Sequence, residues 1–142
     1  MPFENKELSR AWKIVFVDCI ERGEPWGVMT RFEVTSPDGK TRSIRPVFSM
    51  EFVDDYFHIP GDQNMSHNRK RILQEKEELF KRWGLVRIEE LLSKDSLERE
   101  PKITCKDFKW AEKIEKGHLQ LSSQQEGINV YVYILERRIG FK

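Results

Sequence analysis

The sequence predicts an α+β fold: one domain in which an antiparallel N-terminal meander and a C-terminal hairpin pack on two to three central helices. Three observations carry that prediction. Residues 12–47 are rich in β-branched and aromatic side chains broken by turn signals, residues 66–116 place apolar side chains at spacings of three and four, and alternation at period two returns over residues 118–136. With 142 residues, 38% hydrophobic content and 9 Phe, 4 Trp and 3 Tyr, the chain has the length and the apolar material of one domain with its own core.

The run Trp12–Ile20 is apolar on both faces and reads as a central strand with both faces covered. Glu21–Pro25 is a turn, after which Trp26, Val28, Thr30, Phe32 and Val34 alternate with Met29, Arg31 and Glu33 as a half-buried strand. Ser36-Pro-Asp-Gly39 closes a hairpin, because proline presets the first turn position and glycine accepts positive φ. Its return arm, Lys40–Val47, contains Pro46, which cannot donate to a ladder and so marks a strand end or an edge.

Ser49 is placed to cap a short helical turn reaching Tyr56. A longer helix is expected from Ser66 to Trp83, with Ile72, Lys76, Leu79, Phe80 and Trp83 on one face, Glu77–Lys81 and Glu78–Arg82 as exposed pairs, and Gly84 as its C-terminal stop. A second helix from Val86 to Ser93 buries Ile88, Leu91 and Leu92, and residues 94–102 form a charged, mobile connection. Asp107–Lys116 is an amphipathic helix with Phe108, Ala111 and Ile114 inward. His118–Ser122 and Ile128–Glu136 then make a hairpin whose loop is Ser123–Gly127. In its second arm the aliphatic side chains, Val130 and Val132 among them, are expected inside. Tyr131 and Tyr133 are expected on the wetter face, where they offer a dimer seam.

The order of hairpin, Phe48-Ser-Met-Glu-Phe-Val-Asp-Asp-Tyr-Phe57, His67-Asn-Arg-Lys-Arg-Ile72 on a helix, and Ile103-Thr-Cys-Lys-Asp-Phe108 resembles a family of short bacterial proteins known only as a domain of unknown function. The resemblance covers about residues 28–108 and informs the fold alone. That family has no established activity, so no catalytic residue is carried over. The strand before Gly27 and the hairpin after Gly117 depart from its pattern.

Charge excludes some classes. The net charge of +1 joins 8 Lys+Arg against 11 Asp+Glu in residues 1–65 to 17 against 13 in residues 66–142. Such a balance describes an ion-paired surface more than a uniform polyanion binder. No apolar run reaches the ~20 residues of a membrane helix, no secretory signal is visible, and Cys19 and Cys105 are too few for a disulfide scaffold. A cytoplasmic protein without membrane contact is expected.

Two clusters hold the candidate chemistry. Arg69, Lys70 and Arg71 sit at a helix start, where cations are disfavoured; they either receive an anion or are neutralised by Asp54, Asp55 or Asp62. His58, Asp62 and His67 could ligate a metal for hydrolysis, although their spacing fits no established ligand pattern and the Pro60-Gly61 turn accounts for the loop. The element order after Ser66 also suggests a winged helix, with Lys106, Lys109, Lys113 and Lys116 entering a major groove and Ser122–Glu126 as the wing; Asp107, Glu112 and Glu115 interrupt that positive face. Cys105 beside Lys106 is either a reactive thiol or a small buried one. No phosphate loop, dinucleotide fingerprint, nucleophile elbow or zinc-protease motif is present, so no cofactor is called for. The expectation is a non-catalytic interaction or regulatory module with a protein partner or a second copy. Nucleic-acid binding through Arg69, Lys70, Arg71, Lys106, Lys109 and Lys113 is the first alternative, and metal-dependent hydrolysis the second.

Overall fold

The first long strand sets the geometry of everything else. In the computed structural model, which describes residues 11–59, 65–117, 124–127 and 130–134, β1 (Ala11–Arg22) lies between β2 (Gly27–Thr35) and β7 (Val130–Ile134). The remaining elements are β3 (Thr41–Ile44), β4 (Val47–Ser49), α1 (Met50–Tyr56), α2 (Met65–Glu75), α3 (Glu77–Ser93), β5 (Lys102–Ile103), a 3-10 turn (Cys105–Asp107), α4 (Phe108–Glu115) and β6 (Gln124–Gly127). The seven strands form one mixed sheet in the order β5-β4-β2-β1-β7-β6, with β3 also on β2. All pairs are antiparallel except β4 with β5. The class is α+β, as the sequence predicts.

The expected meander forms, closed at Gly39 with φ of 91°. Pro46 breaks its return arm without ending it. β3 pairs with the Phe32–Thr35 half of β2 and β4 with the Gly27–Met29 half, and between them the Pro46 carbonyl accepts from both the Thr30 N–H (3.0 Å) and the Thr30 hydroxyl (3.1 Å). Ser49 caps α1 by accepting from the Phe52 N–H at 3.1 Å.

All four helices contribute to a core built on one face of the sheet. Ile14, Phe16, Phe32, Val34, Ile44, Tyr131 and Tyr133 pack with Leu85, Ile88 and Leu92 of α3. Val28 and Phe48 pack with side chains of α1, α2, α3 and α4 around Phe52, Phe80 and Trp83. No described helix lies on the other face of β1. A β-bulge between Phe16 and Asp18 shifts the phase of the strand. Before it Ile14 and Phe16 point to the core; after it Cys19, opposite Thr30, does. The run reads as apolar on both sides partly because its phase flips at Val17.

Three further expectations change. The helix predicted to stop at Gly84 instead breaks at Lys76 and runs on as α3 to Ser93, absorbing the second helix. Gly84 is buried in mid-helix, and a Cβ there would meet Thr30 Oγ1 at 2.7 Å and Phe32 Cε1 at 2.9 Å, so this glycine serves close approach of helix to sheet. Lys81 pairs with Glu78 at 3.3 Å. The connection over residues 94–101 is held along the sheet edge, where the Arg99 and Pro101 carbonyls accept from the Arg45 and Val47 N–H groups and Glu100 meets Arg22 (3.7 Å) and Arg45 (3.5 Å). Finally, β6 occupies most of the loop predicted at Ser123–Gly127, with Gly127 paired to Val130; the first predicted arm, residues 118–122, lies outside the described residues.

Candidate docking face and the predicted sites

Arg69 is neutralised within the fold. Its Nε and Nη2 donate to the two Asp54 carboxylate oxygens at 2.9 and 2.5 Å, and its guanidinium lies 4.8 Å from the Trp26 ring centroid. Hydrogen bonding to Asp54 holds the Arg69 guanidinium above its ordinary pKa against the opposing effect of burial. Arg71 pairs with Glu75 on the next turn at 3.4 Å, and Lys70 is exposed. The helix start thus uses Arg69 to clamp α2 to α1, and among the described residues Lys70 is the one of the three cations without an ion-pair partner.

Lys106, Lys109, Lys113 and Lys116 are exposed on the 3-10 turn, on α4 and just past its end, with Glu112 and Glu115 exposed among them. The winged-helix arrangement does not form around them. β7 hydrogen-bonds to β1 inside the sheet, and Gln124–Glu126 of the supposed wing are strand β6. α4 is bound to α3 by Arg87, which meets Asp107 (3.0 Å) and Glu90 (3.4 Å) and stacks 4.2 Å from the Trp110 ring, while Trp110 Nε1 donates to Glu90 at 2.9 Å. No tryptophan is exposed, so no indole platform for stacking bases exists.

His58 is exposed just past the end of α1 in a left-handed conformation (φ 54°), and His67 is exposed in the first turn of α2. Asp62 lies outside the described residues. Among the described residues no group of three or more His, Cys, Asp or Glu side chains is placed to hold a metal.

Cys105 is exposed, which corrects its reading as a buried thiol, and it is not activated either. Local desolvation, a hydrogen bond to Asp55 (3.6 Å) and the nearby carboxylate charges of Asp55 and Glu51 raise its pKa. Burial, with the Glu77 and Asp18 charges, pushes the half-buried Cys19 thiol up to about 12.

The two faces of β7 are the reverse of the expectation. Ile14 pairs with Tyr131 and Trp12 with Tyr133, so both tyrosines share the inward face of β1; they are 3% and 8% exposed. The Lys81 ammonium lies 5.4 Å from the Phe16 ring and 5.9 Å from that of Tyr131. Its hydrogen bonds to Tyr131 and Glu78 overcome its desolvation and hold its pKa up. The tyrosine seam is therefore withdrawn. The half-buried Val130 and Val132 belong to the outer face. Both faces of this strand are apolar, and the larger buried area of an aromatic ring decides which goes inside.

On that outer face, register aligns a band of short aliphatic side chains. Val15 pairs with Val130, Ile20 with Met29, and Met29 in turn with Val47. Val17, at the bulge, is 48% exposed and is the exposed large apolar side chain of the described residues. Beside it, Arg31 grips Asp18 through two hydrogen bonds of 2.6 and 2.5 Å, lowering the Asp18 pKa. Lys13 and Glu33 stand together at the Val15 end of the band, both exposed and without an ion-pair partner among the described residues. Next to Val47 a cavity of about 390 Å³ opens, walled chiefly by Pro25, Trp26, Val47 and Met50 and rimmed by charged side chains. What this surface can do chemically is bury apolar area.

Comparison with protein-family models, curated proteins and solved structures finds no match in any of the three. Fold and surface together define the class: an α+β protein whose described helices all lie on one face of the sheet, with a half-buried aliphatic band and the exposed Val17 on the other.

Proposed function

We propose that the protein is a small non-catalytic interaction module that docks through the outer face of its sheet. The observation that carries this reading is the Val15, Val17, Ile20, Met29, Val130 and Val132 band, which no described element covers. A contiguous apolar band on a folded protein is the usual mark of a binding surface. The reading is further supported by what surrounds the other candidates: Arg69 is committed to Asp54, and desolvation and the Asp55 carboxylate raise the Cys105 pKa. The free thiols Cys19 and Cys105 suit a reducing cytoplasmic setting.

Lysine cross-linking in intact cells, read by mass spectrometry, tests it. The expected result is intermolecular cross-links from Lys13, on the outer face, that disappear in Val17→Asp. Cross-links confined to Lys106, Lys109 and Lys113 and indifferent to Val17→Asp would place the docking surface on α4 and refute the proposal.

A further inference from the structure

Resting on that reading, we infer that the occupant of the outer face is a second copy of this chain, packed sheet to sheet about a two-fold axis that passes beside Val15, between Lys13 and Glu33. The first reason is shape. The band consists of valines, an isoleucine and a methionine on three adjacent strands, and its most exposed apolar member is a valine. Apart from Met29, its side chains are short and branched. A flat surface of short side chains is complementary to another of the same kind, as in the face-to-face packing of two sheets.

The second reason is charge. In an isologous interface the same patch meets itself, so residue i contacts j and j contacts i. A patch with net charge repels its own copy; this one carries Lys13 and Arg31 against Asp18 and Glu33 and is neutral. Arg31 and Asp18 satisfy each other within one chain and enter the interface as a neutral unit. Lys13 and Glu33 do not. They are diagonal neighbours on adjacent strands, Lys13 opposite Thr35 and Glu33 opposite Val15, at one end of the apolar band. A two-fold axis between copies brings Lys13 of one to Glu33 of the other, twice, and gives both charges the partner they lack within the described fold.

Sedimentation velocity on the full chain, from about 5 to about 200 µM, tests the inference. Wild type is expected to sediment as a dimer at the upper end and Val17→Asp as a monomer. Lys13→Glu alone and Glu33→Lys alone each raise the dimer dissociation constant about 10-fold or more, while the double reversal recovers to within about 3-fold of wild type, because it restores the pair with its polarity exchanged. The reversals are at exposed sites and test the seam even if Val17→Asp fails to fold. A monomeric wild type at about 200 µM overturns the inference, as does a dimer indifferent to both single reversals. The two proposals fail separately: a monomer whose Lys13 still cross-links to other proteins in cells removes the second copy and keeps the docking face, whereas a monomer without Lys13 cross-links removes both.

Discussion

Gly84 of α3 lies so close to Thr30 of β2 that a single added carbon would sit 2.7 Å from the threonine hydroxyl oxygen. That hydroxyl is also committed, donating to the Pro46 carbonyl at 3.1 Å, and the Phe32 ring closes the space at 2.9 Å. Helix, central strand and the break in the return arm are thus fixed against one another at one point.

The sign of Gly84→Ala follows. In an open helix interior alanine is better than glycine by about 1 kcal/mol. Here the overlap with Thr30 and Phe32 outweighs that gain, and a net loss of about 1–3 kcal/mol is expected, seen as a Tm lower by several degrees in a thermal melt. A rise in Tm would show that α3 does not approach β2 this closely.

Breaking the Arg69–Asp54 clamp should separate the three adjacent cations. The two side chains are 14% and 16% exposed, and removing either leaves the other charged and largely desolvated. Arg69→Ala or Asp54→Ala is expected to cost about 1–3 kcal/mol in urea unfolding, the double variant less than the two singles together, and Lys70→Ala less than about 0.5 kcal/mol. Equal effects at Arg69 and Lys70 would contradict the pairing.

The Asp18–Arg31 pair gives the stability a specific acid dependence. Hydrogen bonding to Arg31 holds the folded Asp18 pKa below its unfolded value of about 3.9, so its contribution is present above that pH and is lost as pH falls through the lowered folded value. Asp18→Asn is expected to be slightly less stable than wild type at neutral pH, with the gap closing below about pH 4. A gap independent of pH would mean that the carboxylate charge plays no part.

Thiol labelling should resolve two sites. Cys105 is exposed and reacts first, yet more slowly than an unperturbed thiol, because Asp55 and Glu51 oppose thiolate formation. Cys19, with its pKa near 12 and its side chain partly in the core, is expected to label only as the protein opens. The measurement is a time course with a chromogenic disulfide at pH 8, native and in denaturant; one fast phase of two thiols would contradict both environments.

Local signals in the sequence were read correctly where one residue settles the geometry. Ser49 caps α1, Gly39 closes the hairpin, and Phe108, Ala111 and Ile114 turn inward on α4, each from chemistry within a few positions. Asp54 is one of three carboxylates that the sequence offers the basic helix start, and only the fold selects it as the partner of Arg69. What could not be read were choices between two acceptable local answers. Period two shows that β7 has two faces but not which is buried when one holds valines and the other tyrosines; the pairing of Tyr131 with the inward Ile14 shows that the tyrosines are. Gly84 fits a helix end after Lys81 and Arg82 as well as a close helix–sheet crossing, and the crossing wins because Phe80, Trp83, Gly84 and Ile88 form one buried stripe. The bulge at Val17 has no glycine to announce it. Its effect on the phase of β1 is what turns Ile20 to the outer face, opposite Met29.

The most direct test of the account is methyl NMR on valine-labelled full-length protein over a dilution series. If copies meet through the outer sheet face, the Val15, Val17, Val130 and Val132 methyl shifts move together with concentration while those of Val28, Val34 and Val53, sealed in the core, stay fixed. Outer-face methyls that keep their shifts across a series in which the protein demonstrably associates would contradict it, and would send the search for the interface elsewhere on the molecule.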